Sequence, residues 1–222
     1  MTEYEIKLSK GHVLIHDGEG WLLVDTGSPL SFHESGHINL AGVSRRVFRF
    51  FPGVDAAYVS DKVGERVGGL VGMDILGGVP VKIDLPAGKL TFGCTTEGMT
   101  RVPSKTILTG HVLVDMIVNG LPARLVLDTG APISYVDTSF TEGLAPVGTG
   151  VDFMPGFSGD DTHETPIFEF PASFAGREFM MKAGHLPKEK QMEVSLVGAS
   201  GAVGYELFSR FPIAIADGSV WA

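Results

Sequence analysis

The chain has little cysteine and no long apolar run, and each absence excludes something. A single cysteine, Cys94, rules out any intrachain disulfide, which suits a reducing compartment. No stretch reaches the roughly 18 consecutive apolar residues of a spanning helix. The start, MTEYEIKLSK, has no basic segment leading into an apolar one, so no signal peptide is expected and a cytoplasmic location is. Positive charge is also short: 17 Lys and Arg stand against 26 Asp and Glu, a formal charge of −9. That balance argues against nucleic acid and anionic membranes as partners. Helix-period segments are scarce. No metal site is expected, although one pair of the seven histidines, in HESGH (His33 to His37), has the H-E-x-x-H spacing. The glycine runs GERVGGLVG and VGASGAVG match neither G-x-G-x-x-G nor a run ending in G-K-[ST], so nucleotide binding is not expected.

What remains is strand-like. Of 222 residues, 44% are apolar, and 30 Gly and 13 Pro cut them into short runs. This reads as all-β. The first run, YEIKLS, sets Tyr4, Ile6 and Leu8 against Glu5, Lys7 and Ser9, a period of two that predicts a strand with one buried face.

The chain is also written twice. GHVLIHDGEGWLLVDTGSPLS (Gly11 to Ser31) returns as GHVLVDMIVNGLPARLVLDTGAPIS (Gly110 to Ser134). LVGMDILGGVPVKIDLPAGKLTF (Leu70 to Phe92) returns as AVGYELFSRFPIAIADGSVWA (Ala202 to Ala222). Repetition at this scale predicts two lobes, 1–98 and 99–222, joined through the polar stretch TTEGMTRVPSK. HINLAGVSRRVFRF (His37 to Phe50) is the counterpart of PIFEFPASFAGREFMMK (Pro166 to Lys182). The second lobe therefore carries about 26 extra residues after its DTG segment, within Val136 to Thr165.

Each copy drives an apolar strand into an acid, Asp25 or Asp128. A carboxylate there is costly unless something holds it. Duplicated lobes tend to pack about an approximate twofold axis, as dimer subunits do, and equivalent residues near the axis meet. Two carboxyls brought together share one proton and supply a general base beside a general acid. Gly27 and Gly130 permit a tight turn with close backbone approach, and Thr26 and Thr129 can bond across the axis. Ser28 follows the first DTG and can donate to Asp25, whereas Ala131 follows the second and cannot. The pair is therefore expected to titrate unevenly, with the charged form of Asp25 favoured.

On VDTGS, LDTGA and the two apolar-apolar-Gly segments, Leu70 to Gly72 and Ala202 to Gly204, the sequence resembles the aspartic proteases of the pepsin and retropepsin superfamily, the familiar case of carboxyls sharing a proton. The resemblance implies a bilobal acid-protease fold with pseudo-twofold symmetry. It makes Asp25 and Asp128 the catalytic pair, supported by Thr26, Gly27, Ser28, Thr129, Gly130 and Ala131. It implies hydrolysis of an extended peptide with no cofactor and no metal, and a monomer suffices because both half-sites lie in one chain. Two features differ from the familiar patterns. Each lobe is retropepsin-sized within a single chain, and only the second is long enough for a flap. One flap is expected, within about 137–166, with Phe153, Met154 and Phe157 at its tip over the substrate and Gly156 and Gly159 letting it bend. Asp160, Asp161 and Glu164 make that tip acidic. His12 and His111, at matching strand starts, are expected to be structural, Cys94 inert, and Arg45, Arg46 and Arg49 a solvated face. The competing expectation is a module that keeps the fold and binds peptide without cutting it, or cuts only itself.

Overall fold

The computed structural model describes residues 1–155 and 161–222. Among the described residues the chain is mostly strand with few helices, and they build two large sheets. Among the described residues no helix is long and apolar enough to cross a membrane.

The first sheet has ten strands. Its run Thr2–Ser9, His12–His16, Trp21–Val24, Val67–Val71 and Phe32–His33 comes from the first half of the chain. On its other flank Lys89–Phe92 and Val81–Asp84 continue into Ile213–Ala216, Ser219–Trp221 and Arg101–Val102 from the second half. The join between halves is antiparallel: Ile213 pairs with Ile83, Ala214 with Lys82 and Ile215 with Val81. The second sheet has eight strands. Six of them close into a barrel, in the order Val112–Val118, Leu121–Leu127, Gly201–Val203, Ser134–Val136, Arg177–Gly184 and Thr162–Phe174. Closure comes where Ile117 and Val118 pair with Ser173 and Ala172. Closing a sheet leaves those strands with no free edge.

The hairpins follow from sequence. Ala41-Gly42 and Ala175-Gly176 each link two strands through a two-residue turn with positive φ at both positions. Such turns match the strand twist and call for glycine at the second site. The matched segments His37 to Phe50 and Pro166 to Lys182 thus do both contain hairpins, His37–Leu40 with Val43–Arg46 and Thr162–Phe174 with Arg177–Gly184.

The Leu22 to Val24 run has no alternation because both faces are covered. Leu22 and Val24 point into the main core with Val13 and Ile15. Leu23 points the other way, with Leu14, Val59, Val63 and Leu70, under the helix Ala56–Val63. In the second half Val126 joins Leu113, Ala199 and Ala202, with Val194 of the helix Lys188–Leu196 packed on them. Burial of one such side chain contributes about 1.5–3 kcal/mol. The first strand departs from its expected alternation at one end: Leu8 is 44% exposed. There the strand turns its polar face to the end of the Ala56–Val63 helix. The Ser9 hydroxyl donates to the Val63 carbonyl at 2.7 Å and Lys7 pairs with Glu65.

Candidate active site

Two parallel strand pairs aim the acids. Trp21–Val24 lies beside Val67–Val71, with Val24 opposite Val71, and Leu121–Leu127 beside Gly201–Val203, with Leu127 opposite Val203. The ladder then continues into the acids. The Asp25 N–H donates to the Val71 carbonyl at 3.0 Å, and the Asp128 N–H to the Val203 carbonyl at 2.9 Å. The glycine after each apolar pair passes beneath its DTG turn: the Gly72 N–H donates to the Ser31 hydroxyl at 2.8 Å and the Gly204 N–H to the Ser134 hydroxyl at 3.1 Å.

The threonines lock the turns to each other. The Thr26 N–H donates to Thr129 Oγ1 at 3.0 Å, and the Thr129 N–H to Thr26 Oγ1 at 2.9 Å. Each hydroxyl passes its own proton on, Thr26 to the Leu127 carbonyl and Thr129 to the Val24 carbonyl, both at 2.8 Å. Both threonines are fully buried. All four groups are therefore satisfied without water, which the burial requires.

This lock brings the carboxyls together. Asp25 and Asp128 are hydrogen-bonded to each other. Each is held by the N–H two residues on, Gly27 to Asp25 Oδ1 and Gly130 to Asp128 Oδ1, both at 2.9 Å. Each glycine also packs on the opposite acid. A β-carbon at Gly130 would stand 2.6 Å from the Asp25 carboxyl carbon, and one at Gly27 closer still to that of Asp128. Only glycine lets the turns approach this far.

Burial raises both carboxyls above the usual range. The neighbouring Asp128 pushes Asp25 well up. The Gly130 N–H opposes that rise at Asp128. The pair thus carries one proton between its two carboxyls. The expectation that the Ser28 hydroxyl donates to Asp25 is corrected. Its hydroxyl turns away and donates to the Leu30 carbonyl at 2.8 Å. Its backbone N–H donates to the Asp25 carbonyl at 3.3 Å, as that of Ala131 does to the Asp128 carbonyl at 3.3 Å, so residue type at that position makes no difference.

The acids form the floor of a cavity of about 430 Å³. Leu23, Val59 and Leu70 line one side of it, and Val126, Val194 and Ala202 the other. Its roof is the hairpin Gly148–Phe153 with Thr162–Phe174, which brings Phe153, Met154 and Pro155 over the cavity. The Phe153 ring lies 5.4 Å from that of His12 and 6.2 Å from that of Tyr58. The Tyr58 hydroxyl donates to Asp161 Oδ2 at 2.8 Å, so the roof of the second half rests on a helix of the first. Gly156, Phe157, Gly159 and Asp160, expected at the hairpin tip, lie outside the described residues. His163, within the hairpin, is bonded through Nε2 to the His185 carbonyl at 2.8 Å.

Comparison with known proteins gives little beyond this geometry. No family model matches the chain, and no curated protein does. Among solved structures it is similar to a retropepsin-like aspartic protease from Rickettsia conorii. The identity is 14% and the TM-score 0.38, over 56% of this chain and 98% of that one.

Several cavity residues escaped the sequence reading. Tyr135 and Asp152 both line the cavity. The Tyr135 hydroxyl donates to Asp152 Oδ2 at 2.6 Å. Burial lifts the Asp152 carboxyl to about 6 and raises the Tyr135 phenol. Tyr58 and Val59 sit on a helix whose signals were legible: Asp55 caps it by accepting from the Tyr58 N–H at 2.8 Å, and Gly64 ends it in the left-handed conformation. Val194 sits on the helix Lys188–Leu196, which has no buried residue and so no apolar stripe to find. Among the described residues no group of three or more His, Cys, Asp or Glu is placed to hold a metal. Burial raises the Cys94 thiol, away from the reactive thiolate.

Proposed function

We propose that the chain is an aspartic endopeptidase of bilobal, pseudo-twofold acid-protease architecture, with lobes 1–98 and 99–222. The observation that carries this reading is the reciprocal threonine lock, which clasps two DTG turns so that Asp25 and Asp128 touch at the floor of a roofed cavity. An extended peptide lies in that cavity by strand-like pairing, beneath the hairpin that carries Phe153 and Met154.

The ionised carboxylate of the pair, written as Asp128 with Asp25 as its protonated partner, takes a proton from a water, whose oxygen attacks the peptide carbonyl carbon. Asp25 gives its proton to the carbonyl oxygen as the π pair moves there. When the tetrahedral intermediate collapses, the C–N bond breaks and the amine leaves with the proton that Asp128 had gained. Asp25 recovers a proton from the hydroxyl as the C=O re-forms. The products are an acid and an amine, and the dyad returns to its starting state. Two carboxyls suffice for these transfers, so the reaction needs no cofactor. One copy of the chain suffices as well.

Digestion of a diverse peptide library from about pH 4 to pH 8 tests the reading. The wild type cleaves, and Asp128→Asn loses at least about a thousandfold of the rate. Binding without cleavage by the wild type identifies a peptide-binding module instead, and unchanged cleavage by the variant rejects the dyad.

A further inference from the structure

The hairpin His37–Leu40 with Val43–Arg46 forms a small sheet of its own, joined to neither large sheet. Its second strand is exposed at all four residues. In an antiparallel pair, facing residues alternate between exchanging both backbone bonds and exchanging neither. The Val47 N–H donates to the Gly36 carbonyl at 3.0 Å, which sets the phase. Ile38 with Arg45 and Leu40 with Val43 are then bonded pairs, and Asn39 with Ser44 and His37 with Arg46 are not. Ser44 and Arg46 therefore turn N–H and C=O away from the hairpin. Among the described residues no other strand pairs there and no backbone bond reaches either residue. The result is an open strand edge with two donors and two acceptors.

That edge carries charge opposite to the rest of the chain. From Ser35 to Val54 there is no Asp or Glu, while Arg45, Arg46 and Arg49 stand close together in a chain of formal charge −9. All three are exposed, and none is in an ion pair among the described residues. Beside them Phe48 is 56% and Phe50 61% exposed. Phe48 is firmly held. Its ring lies 6.0 Å from that of Phe51, which lies 5.1 Å from the buried ring of Phe32. Its carbonyl accepts from the His33 N–H at 2.9 Å. Aromatic rings and arginine are the residue types enriched where proteins meet.

We propose that the open edge of Val43–Arg46, with Phe48, Arg49 and Phe50, is a docking site for an extended acidic segment of a partner protein, which adds a strand to this hairpin. Main-chain bonds to Ser44 and Arg46 hold the segment, the arginines take its carboxylates, and the rings cover its apolar residues. Two copies of this chain joined here would set arginine against arginine, which is unfavourable. A lipid surface offers anionic headgroups to the arginines but no row of alternating donors and acceptors to the edge. None of these residues lines the cavity of the acids, so the docking site is independent of the protease reading.

A display library of random linear peptides, selected on the full-length protein, tests the site. The library is first depleted on the double variant Arg46→Glu, Arg49→Glu. That variant reverses the charge, keeps every backbone group and removes peptides that bind elsewhere, the cavity included. Sequences that alternate Asp or Glu with apolar residues should be recovered. A synthetic peptide of such a sequence should bind the wild type and weaken at least about tenfold from low to high salt. It should also weaken at least about tenfold on Ser44→Pro, which removes an outward N–H from the edge. A second arm leaves the protein untouched. Methylating every other backbone nitrogen of the peptide should abolish binding in one phase and spare it in the other. This arm decides the outcome if Ser44→Pro fails to fold. Recovery of no acidic sequence rejects the site, as does binding that survives in folded Ser44→Pro or with either phase methylated. If no such peptide is recovered while phosphatidylserine vesicles bind the wild type and not the double variant, the face is a membrane contact and strand addition is wrong.

Discussion

The two DTG turns share one set of backbone bonds and differ in what surrounds them. Each donates its aspartate N–H to the carbonyl of an apolar-apolar-Gly strand and clasps the other through a threonine. Around them the match ends. The second half supplies the hairpin roof, and the first supplies the helix Ala56–Val63 on which it rests. His12 is buried while His111 opens on the cavity. Like turns thus sit in unlike surroundings, although two carboxyls brought together share a proton in either case.

The sharpest way to break this comparison is to remove the shared lock from one side at a time. Thr26→Val and Thr129→Val each orphan one buried N–H and one buried carbonyl. Each should destabilise by about 2–4 kcal/mol in urea unfolding, and the two values should agree within about 1 kcal/mol. A large loss for one and none for the other would mean that the turns do not depend on each other equally.

A smaller effect separates the buried groups by pH. Asp152 is lifted to about 6 in the fold from about 4 in the unfolded chain. The fold therefore prefers its neutral form. That contribution is complete below about pH 4 and is lost as pH rises through 6. His12 runs the other way. Its folded value of about 4 lies below the unfolded value of about 6.5, so stability is full above about pH 6.5 and erodes as pH falls toward 4. Asp152→Asn keeps an acceptor for the Tyr135 hydroxyl and removes the buried charge. It should gain on the order of 2 kcal/mol at neutral pH and almost nothing near pH 4. Unfolding of that variant should then show the acid-side loss from His12 without its counterweight. A stability profile parallel to that of the wild type would contradict both assignments.

The smallest expected effect lies where roof meets helix. Tyr58→Phe removes the bond to Asp161 and keeps the ring beside Phe153. It should change global stability by less than about 1 kcal/mol. Amide exchange along Gly148–Phe153 and Thr162–Phe174 should quicken severalfold while that in the barrel strand Leu121–Leu127 stays unchanged.

The sequence exposed the duplication, the all-strand character, the position of the surplus residues and the meeting of Asp25 with Asp128. These are legible because a repeated motif and strand periodicity are local patterns. Ser28 misled the reading. Its hydroxyl has a nearer acceptor in the Leu30 carbonyl, and only the path of the backbone reveals that. The Tyr135–Asp152 pair was invisible for a related reason: 17 positions separate the two residues, and nothing in either neighbourhood marks the contact.

What the chain order determined by itself is the set of parts: two apolar strands that each end in Asp-Thr-Gly, two strands that end in glycine to brace them, and one half longer than the other. Strand periodicity and glycine's freedom write these into any reading. The tertiary structure alone decided that the Asp152 carboxyl is lifted and that the His12 imidazole is lowered. Both follow from desolvation, and such effects depend on distances in space rather than on positions in sequence.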